Sequence, residues 1–487
     1  MSTNPATLVD AYKLDHRRQY PKKTQRVLSN WTARGSRIPG VTDAVLLGPQ
    51  YFTQKYLVDD FNAGFFSRPK DEVLARYKKR IDSFLGPNDI GTQHIGDLHD
   101  LGYMPLEFRA VPEGTTVPLR VPMLTLENTI DEFFWLTNYI ESVMSCVLWM
   151  PINSATRARE MRKVLDAAQK LTGGPEWFTD WQGHDFSFRG MPGLEAAQLS
   201  GMGHLLYFTG TDTIPALDLI EDYYGVPEGY LLGGSVAATE HSVMCAGGQE
   251  GEGETFDRLL DVYPGGILSV VSDTWNLWDV ITQILPARKE RILARNGKLV
   301  IRPDSGDPAD IVCGDPLAAA GSPASKGVIE LLWGIFGGVT NAAGYKELDG
   351  HIGCIYGDAI SKERAEEITA RLAAKGFASY NIVFGVGSYT YQYNTRDTLG
   401  QAMKATWVEI DGVGRPIFKK PVTDNGVKNS ALGRLAVLRD DQGVMQVVNN
   451  ASREQEEASL LQPIWKDGKA LVKESFDVIR ARAKKGG

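Results

Sequence analysis

An α/β fold is predicted: an irregular parallel α/β barrel beside a discontinuous antiparallel β-rich domain. Three observations predict it. Between about 205 and 388 short apolar runs alternate with helix-like segments, and each run ends in a small polar cluster. Carboxylates recur just past those runs, at Asp212, Asp273, Asp304 and Asp358. Before 147 and beyond 400 the texture is instead strand alternation broken by turn signals. Repeated strand, polar tip and helix is the pattern of a parallel sheet, whose ligands bind at the C-terminal ends of its strands. The expected division is 1–147 with 400–487 as the β-rich domain, and 148–399 as the barrel-like domain.

Taken in order, the polar DAYKLDHRRQYPKKT is followed by the β-like RVLSNWTAR, and Arg76–Leu85 has the charge distribution of a helix. Met104–Leu126, rich in Pro, Val, Thr and Gly, reads as short antiparallel strands with turns between them. Thr129–Leu148 is an apolar, aromatic-rich helix, and Ser154–Leu171 a separate amphipathic one. The barrel strands are expected at Leu205–Phe208, Ile267–Val271, Leu299–Ile301, Gly353–Tyr356 and Ile382–Phe384. Helices are expected between them at Ile214–Tyr224, Trp275–Arg295, Lys326–Gly337 and Ser361–Lys375. The tail, MKATWVEIDGVGRPIFKK then GRLAVLRDDQGVMQVV, carries DG and QG hairpin signals and is expected to rejoin the N-terminal β region. A strand-like piece and a basic helix close the chain over Leu460–Lys485.

Composition narrows the function. The 43% hydrophobic and 23% charged fractions are those of a soluble globular protein. A net charge of −8 argues against a general nucleic-acid binder while leaving room for a local basic pocket. Cys146, Cys245, Cys313 and Cys354 form no CxxC pair, so a cytoplasmic location is expected rather than a disulfide or zinc framework. The longest apolar run, Val143–Ile152, is interrupted by Ser145 and Pro151 and is too short to span a bilayer.

Chemistry concentrates at the strand tips. In GKLVIRPDSGDP (297–308), Pro303 and Gly306 stop the strand near Arg302, leaving a cation, the Asp304 carboxylate and the Ser305 hydroxyl together. Asp273, Asp304 and Asp358 suit sugar hydroxyls or a magnesium–phosphate complex. Gly357, Gly385 and Gly387 let backbone N–H groups approach a phosphate, and Ser388 adds a hydroxyl. No GxxxxGKS loop is present, which disfavours a P-loop nucleotide site. Phe186 and Arg189, three residues apart in HDFSFRG, pair a face for a flat heterocycle with a phosphate-binding guanidinium. Core packing is the plain alternative for Phe186, and a solvated basic face for Lys404, Lys419, Lys420 and Lys428. His241, in Thr239-Glu240-His241-Ser242, is open between a structural and a functional histidine.

DAYKLDHRRQYP, HDFSFRG, FTGTDT, AATEHS, SVVSDT, VIRPDSGDP, Gly357-Asp358, TRD at 395–397, FKKPV and Gly433-Arg434 occur in one order across nearly the whole chain. In this the chain resembles the nicotinamide phosphoribosyltransferases, a type II phosphoribosyltransferase family. The resemblance implies a homodimer with shared active sites that makes nicotinamide mononucleotide and pyrophosphate from nicotinamide and phosphoribosyl pyrophosphate. Magnesium would accompany the phosphates, and ATP would be an optional coupling substrate acting through phosphorylated His241. Phe186 and the Tyr12 of a second copy would sandwich the pyridine, and Asp212 would accept the carboxamide NH2. Arg302 and Asp304 would hold base and ribose, with Asp273 and Asp358 near the ribose and its phosphates. Arg189, His241, Arg302, Lys419 and Lys428 would bind pyrophosphate or ATP. Gly357, Gly387 and Ser388, with Arg396 and Lys404 of the second copy, would hold the 5′-phosphate. Asp10, Arg34 and Ser235 complete the implied substrate-binding set, in which His241, Asp304 and Asp273 are the catalytic members.

Two positions depart from the family. Ser388 stands where a glycine-type residue is common, and Ala402 where a serine is, so the 5′-phosphate pocket loses one hydroxyl. A nicotinate enzyme and a non-catalytic ligand-binding relative are the competing readings. Asp212 bears on the first, because a carboxylate welcomes an amide donor and repels a carboxylate substrate.

Overall fold

The computed structural model describes residues 4–357, 359–418 and 431–486. The chain divides into two compact units. One comprises Met1–Ala155, Leu219–Glu228 and Asn394–Gly487; the other comprises Thr156–Asp218 and Gly229–Tyr393.

The first unit is built on a seven-stranded antiparallel sheet. Its order is Val413–Pro416, Ala402–Ile410, Thr24–Thr32, Pro122–Asn128, Leu106–Ala110, Gln462–Lys466, Lys469–Ala470. The tail therefore does rejoin the N-terminal strand, with Val27 opposite Val408 and Trp31 opposite Met403. Trp31, Phe108 and Trp465 are fully buried in its core. Phe108 and Trp465 meet edge to face at 5.7 Å, an arrangement favoured by ring quadrupoles. Arg434 clamps the tail hairpin by donating to Glu127 and Glu456 while lying 4.8 Å over the Trp407 ring.

The second unit is a parallel barrel of seven short strands: β1 (Gly183–Asp185), β2 (Gly210–Thr211), β3 (Ala237–Ala238), β4 (Leu268–Val271), β5 (Leu299–Arg302), β6 (Ile352–Tyr356) and β7 (Ile382–Val386). Each strand from β3 pairs with the next in the chain, β7 pairs with β1, and β1 with β2. A parallel bridge between Gly210 and Gly234 links β2 to the segment leading into β3 and completes the ring. The α/β barrel and antiparallel sheet expected from the sequence are thus both present.

Local expectations needed correction at three places. Leu205–Phe208 is not a strand; these buried residues turn out of helix Leu194–His204, and the strand is the shorter Gly210–Thr211. A four-residue apolar run carries no periodicity that separates a buried turn from a strand. The two helices expected around Pro151 are one, Glu141–Thr172. Proline removes a donor but does not end this helix, whose Met144, Leu148, Ile152, Ala155 and Leu165 are all buried. Trp275–Arg295 is helical from Leu277 to Leu293 but not one regular α-helix: α-helical ends at Leu277–Asp279 and Lys289–Leu293 flank a π-turn over Val280–Ile284 and a 3-10 turn opening at Pro286. Among the described residues no helix is long and apolar enough to cross a membrane.

One buried carboxyl in the barrel unit carries a stability signature. Glu252, 5% exposed, has Oε1 buried without a hydrogen-bond partner among the described residues. Burial first, and Asp279 second, push its carboxyl up to about 7. A carboxyl raised in the folded state makes the unfolded state the better acid, so stability falls as pH rises from the ordinary carboxyl range to about 7. Glu252→Gln should therefore gain on the parent over that window, by on the order of 2–3 kcal/mol once both curves flatten. Chemical denaturation of the two proteins between pH 4.5 and 8 measures the gap, and a gap that does not grow with pH refutes it.

Candidate active site

All seven barrel strands run the same way, so their C-terminal ends share one rim. At that rim stand Phe186 after β1, Asp212 after β2, Ser235 before β3 and His241 after it. Asp273 follows β4, Arg302 ends β5 with Asp304 beyond it, Gly357 follows β6, and Gly387 and Ser388 follow β7. Eleven of the expected residues, Arg189 included, belong to this unit.

Their contacts divide the rim into two patches. In the first, Asp212 Oδ1 takes hydrogen bonds from His184 Nε2 at 2.9 Å and Ser235 Oγ at 2.5 Å. Burial pushes the Asp212 carboxyl up, but these bonds, the His184 charge and Arg302 outweigh it and hold the group below its ordinary range. The His184 and Phe186 rings lie 4.6 Å apart, and the Arg302 guanidinium sits 5.9 Å from the Phe186 centroid. Burial lowers the Arg302 pKa, while Asp304, Asp212 and Asp273 favour its charged form. Arg302 Nε is buried without a hydrogen-bond partner among the described residues, a donor still to be satisfied.

In the second patch Asp273 organises its neighbours. Its Oδ2 accepts the Asp304 N–H at 3.0 Å and the Ser305 hydroxyl at 2.6 Å, while Oδ1 lies 3.3 Å from His241 Nε2. The Asp273 side chain is 5% exposed and that of His241 48%, so the carboxylate is held inside and the imidazole is presented outward. No hydrogen bond or ion pair to the Asp304 carboxylate occurs among the described residues.

Glycines make the approach possible. A Cβ on Gly385 would lie 2.7 Å from both Gly357 Cα and Phe186 Cδ2, and one on Gly357 would lie 2.9 Å from Asp304 Oδ1. Ser388 packs against Gly190, where a Cβ would meet its Oγ at 2.1 Å. Behind Ser388, helix Ser388–Gln392 is tied to the barrel: Tyr391 OH donates to His204 Nδ1 at 2.6 Å, and His204 Nε2 to the Gly210 carbonyl at 3.0 Å. A cavity of about 640 Å³ is lined by His184, Ser235 and Ile355 together with Ile267, Lys298 and His351, which precede β4, β5 and β6, so it extends to the end of the barrel opposite the rim.

The remaining expected residues lie elsewhere. Asp10, Tyr12, Arg34, Arg396 and Lys404 belong to the antiparallel unit. Tyr12, 65% exposed, and Lys404 line one open groove with Lys13, His16 and Glu141. Asp10 accepts from Ser142 at 2.5 Å, Arg34 donates to the Gly400 carbonyl at 2.9 Å, and Arg396 pairs with Asp397 at 3.5 Å. Asp358, Lys419 and Lys428 lie outside the described residues. The group that motif reasoning left without a role is His184. Its signal was period two: His184 and Phe186 fall on the same side of an extended chain.

The sequence model of the nicotinate phosphoribosyltransferase (NAPRTase) family matches residues 181–464, which hold the whole rim. The chain belongs to the nicotinate phosphoribosyltransferase family. It is 48% identical over 491 residues to a nicotinamide phosphoribosyltransferase of Acinetobacter baylyi, covering 98% of this chain and 97% of that protein. A nicotinamide phosphoribosyltransferase of Mycoplasma pneumoniae is 36% identical, over 90% of this chain and 96% of its own length. Among solved structures, a nicotinate-nucleotide pyrophosphorylase from Pyrococcus furiosus shares the fold with a TM-score of 0.59 at 17% identity, covering 99% of this chain and 95% of that one. The human nicotinic acid phosphoribosyltransferase does so at 0.53 and 16%, covering 98% and 93%.

For a member of this family the crowding at Gly385 makes a clear prediction. Gly385→Ala must displace the Phe186 ring or the Gly357 backbone, and overpacking of this kind costs about 1–3 kcal/mol. The variant should melt lower than the parent and show a moved Phe186 ring in its crystal structure. An unchanged ring and melting temperature would contradict the packing described.

Proposed function

We propose that the chain transfers the phosphoribosyl group of phosphoribosyl pyrophosphate to nicotinamide, giving nicotinamide mononucleotide and pyrophosphate, a salvage step toward NAD. Relatives that bear that activity in their names, at 48% and 36% identity, support the reading. The observation that carries the choice of nicotinamide is Asp212. It is an ionised carboxylate with Oδ1 already engaged and no hydrogen bond to Oδ2 among the described residues. Such a group accepts a carboxamide N–H and repels the carboxylate of nicotinate.

On this reading Phe186 stacks on the pyridine, and Arg302, with its free Nε, reaches toward phosphate and base. Displacing pyrophosphate at the anomeric carbon builds positive charge on the ribose, which the nearby Asp304 carboxylate stabilises. Arg189 and Arg302 take up the negative charge of the departing pyrophosphate. No enzyme nucleophile is needed for that step. Magnesium fits the donor set, since it is held by one or two carboxylates with substrate phosphates. Of the Asp273 and Asp304 pair, Asp304 has oxygens to offer, and Asp273 has both engaged. When bound, the ion would neutralise phosphate charge.

His241, exposed and backed by Asp273, is the residue we assign to ATP coupling through phosphorylation. The exposed Tyr12 and the adjoining Lys404 would serve the rim of a second copy in a homodimer, with Asp10, Arg34 and Arg396. Gly357, Gly387 and Ser388 would receive the 5′-phosphate.

Purified protein given nicotinamide, phosphoribosyl pyrophosphate and magnesium should form the mononucleotide, faster with ATP; no product in either condition refutes the assignment. His241→Ala should abolish the stimulation by ATP, and stimulation that survives removes His241 from that role. Asp212→Ser should lower kcat/KM for nicotinamide by about a hundredfold, the scale of a lost charged hydrogen bond, and begin to admit nicotinate. Undiminished nicotinamide turnover would take Asp212 out of amide recognition.

A further inference from the structure

Asp212 follows a two-residue strand and its side chain is 45% exposed, so its own packing does not fix which oxygen faces a ligand. Two donors do. His184 Nε2 and Ser235 Oγ both bind Oδ1, and a carboxylate held twice through one oxygen offers the other. The two donors are unequal in firmness. Ser235 is exposed and its hydroxyl rotates, whereas the His184 side chain is 10% exposed and wedged in place. On one side Gly210 packs so closely that a Cβ there would lie 2.7 Å from His184 Nδ1; on another the Phe186 ring is tilted 44° against the imidazole. The backbone beneath is pinned as well, His184 pairing with Gly210 and the Asp212 N–H donating to the Asp185 carbonyl at 2.9 Å.

We infer that His184 is a positioning residue for amide recognition: its imidazole edge locks Asp212 through Oδ1, its face supports the Phe186 ring, and Oδ2 is left for the ligand. This rests on the nicotinamide reading above and adds to it. Selectivity between amide and acid comes from the orientation of Asp212 as well as from its charge. Groups that act through a neighbour's geometry are felt in the binding of the moiety they orient. His184 should therefore govern the pyridine substrate and leave phosphoribosyl pyrophosphate nearly untouched.

Two substitutions of similar size separate this from a packing role. His184→Gln keeps an N–H at about the reach of Nε2, and His184→Asn keeps one only at the reach of Nδ1. In steady-state assays His184→Asn should raise KM for nicotinamide about tenfold, with kcat and KM for phosphoribosyl pyrophosphate moving less than about twofold. The preference for nicotinamide over nicotinate should fall with it, and His184→Gln should stay within about threefold of the parent. Ser235→Ala, removing the other donor at an exposed position, should raise the same KM by a smaller factor and does not depend on either histidine variant folding. Equal values for the Gln and Asn variants, a parallel rise in KM for phosphoribosyl pyrophosphate, or no change in Ser235→Ala overturns the positioning role. A parent protein that makes no mononucleotide from nicotinamide overturns the functional reading, and the positioning role falls with it; an active parent with unresponsive variants overturns the positioning role alone.

Discussion

A parallel sheet becomes a barrel only when its two free edges find each other, and here that contact is the bridge between Gly210 and Gly234. It is small: Thr211 N–H donates to the Gly234 carbonyl at 3.0 Å and Gly234 N–H to the Thr209 carbonyl at 2.9 Å. Both partners lack a side chain, and the space explains why. A Cβ on Gly210 would collide with His184, and one on Gly234 would press on Trp181 at 3.3 Å. Asp212 and Ser235 follow the two glycines within one or two residues, so closing the barrel brings the carboxylate and hydroxyl into hydrogen-bond range. The ring closure and the first half of the site are one event in the chain.

The remainder of the rim is an exercise in charge balance. Arg302 loses hydration on entering the rim, a cost that Asp304, Asp212 and Asp273 around it offset in part. The whole chain carries a net charge of −8, yet this rim holds the Arg302 guanidinium, with Arg189 in the same unit. Local arrangement outweighs global charge because Arg302 is partly desolvated while most acidic residues are remote and screened.

The sequence made some of this legible and hid the rest for physical reasons. β4 to β7 are four or five residues long and apolar, so their ends, and with them Asp273, Arg302, Asp304, Gly357 and Ser388, could be read from hydrophobic runs. β1, β2 and β3 are two or three residues of small or polar type, held by neighbours rather than by their own propensity, and no run announces them. Phe186, Asp212 and His241 near those strands were recoverable from motif order. His184 lies inside the shortest element class and pairs with a residue 28 positions away, which no local pattern encodes. The helix through Pro151 failed for the opposite reason: a strong local rule was overridden by burial of the surrounding face.

His204 has a consequence beyond its own contacts. Its imidazole joins Tyr391, in the helix that begins at Ser388, to the Gly210 carbonyl, two residues before Asp212. The strand end that leads to Asp212 and the helix that begins at Ser388 are therefore pegged to one buried ring. Their spacing behaves as a ruler rather than as a pair of independently adjustable jaws. On the function proposed above, a ligand a methylene too long or too short to span them would have to deform the peg, so length itself would become a criterion of admission.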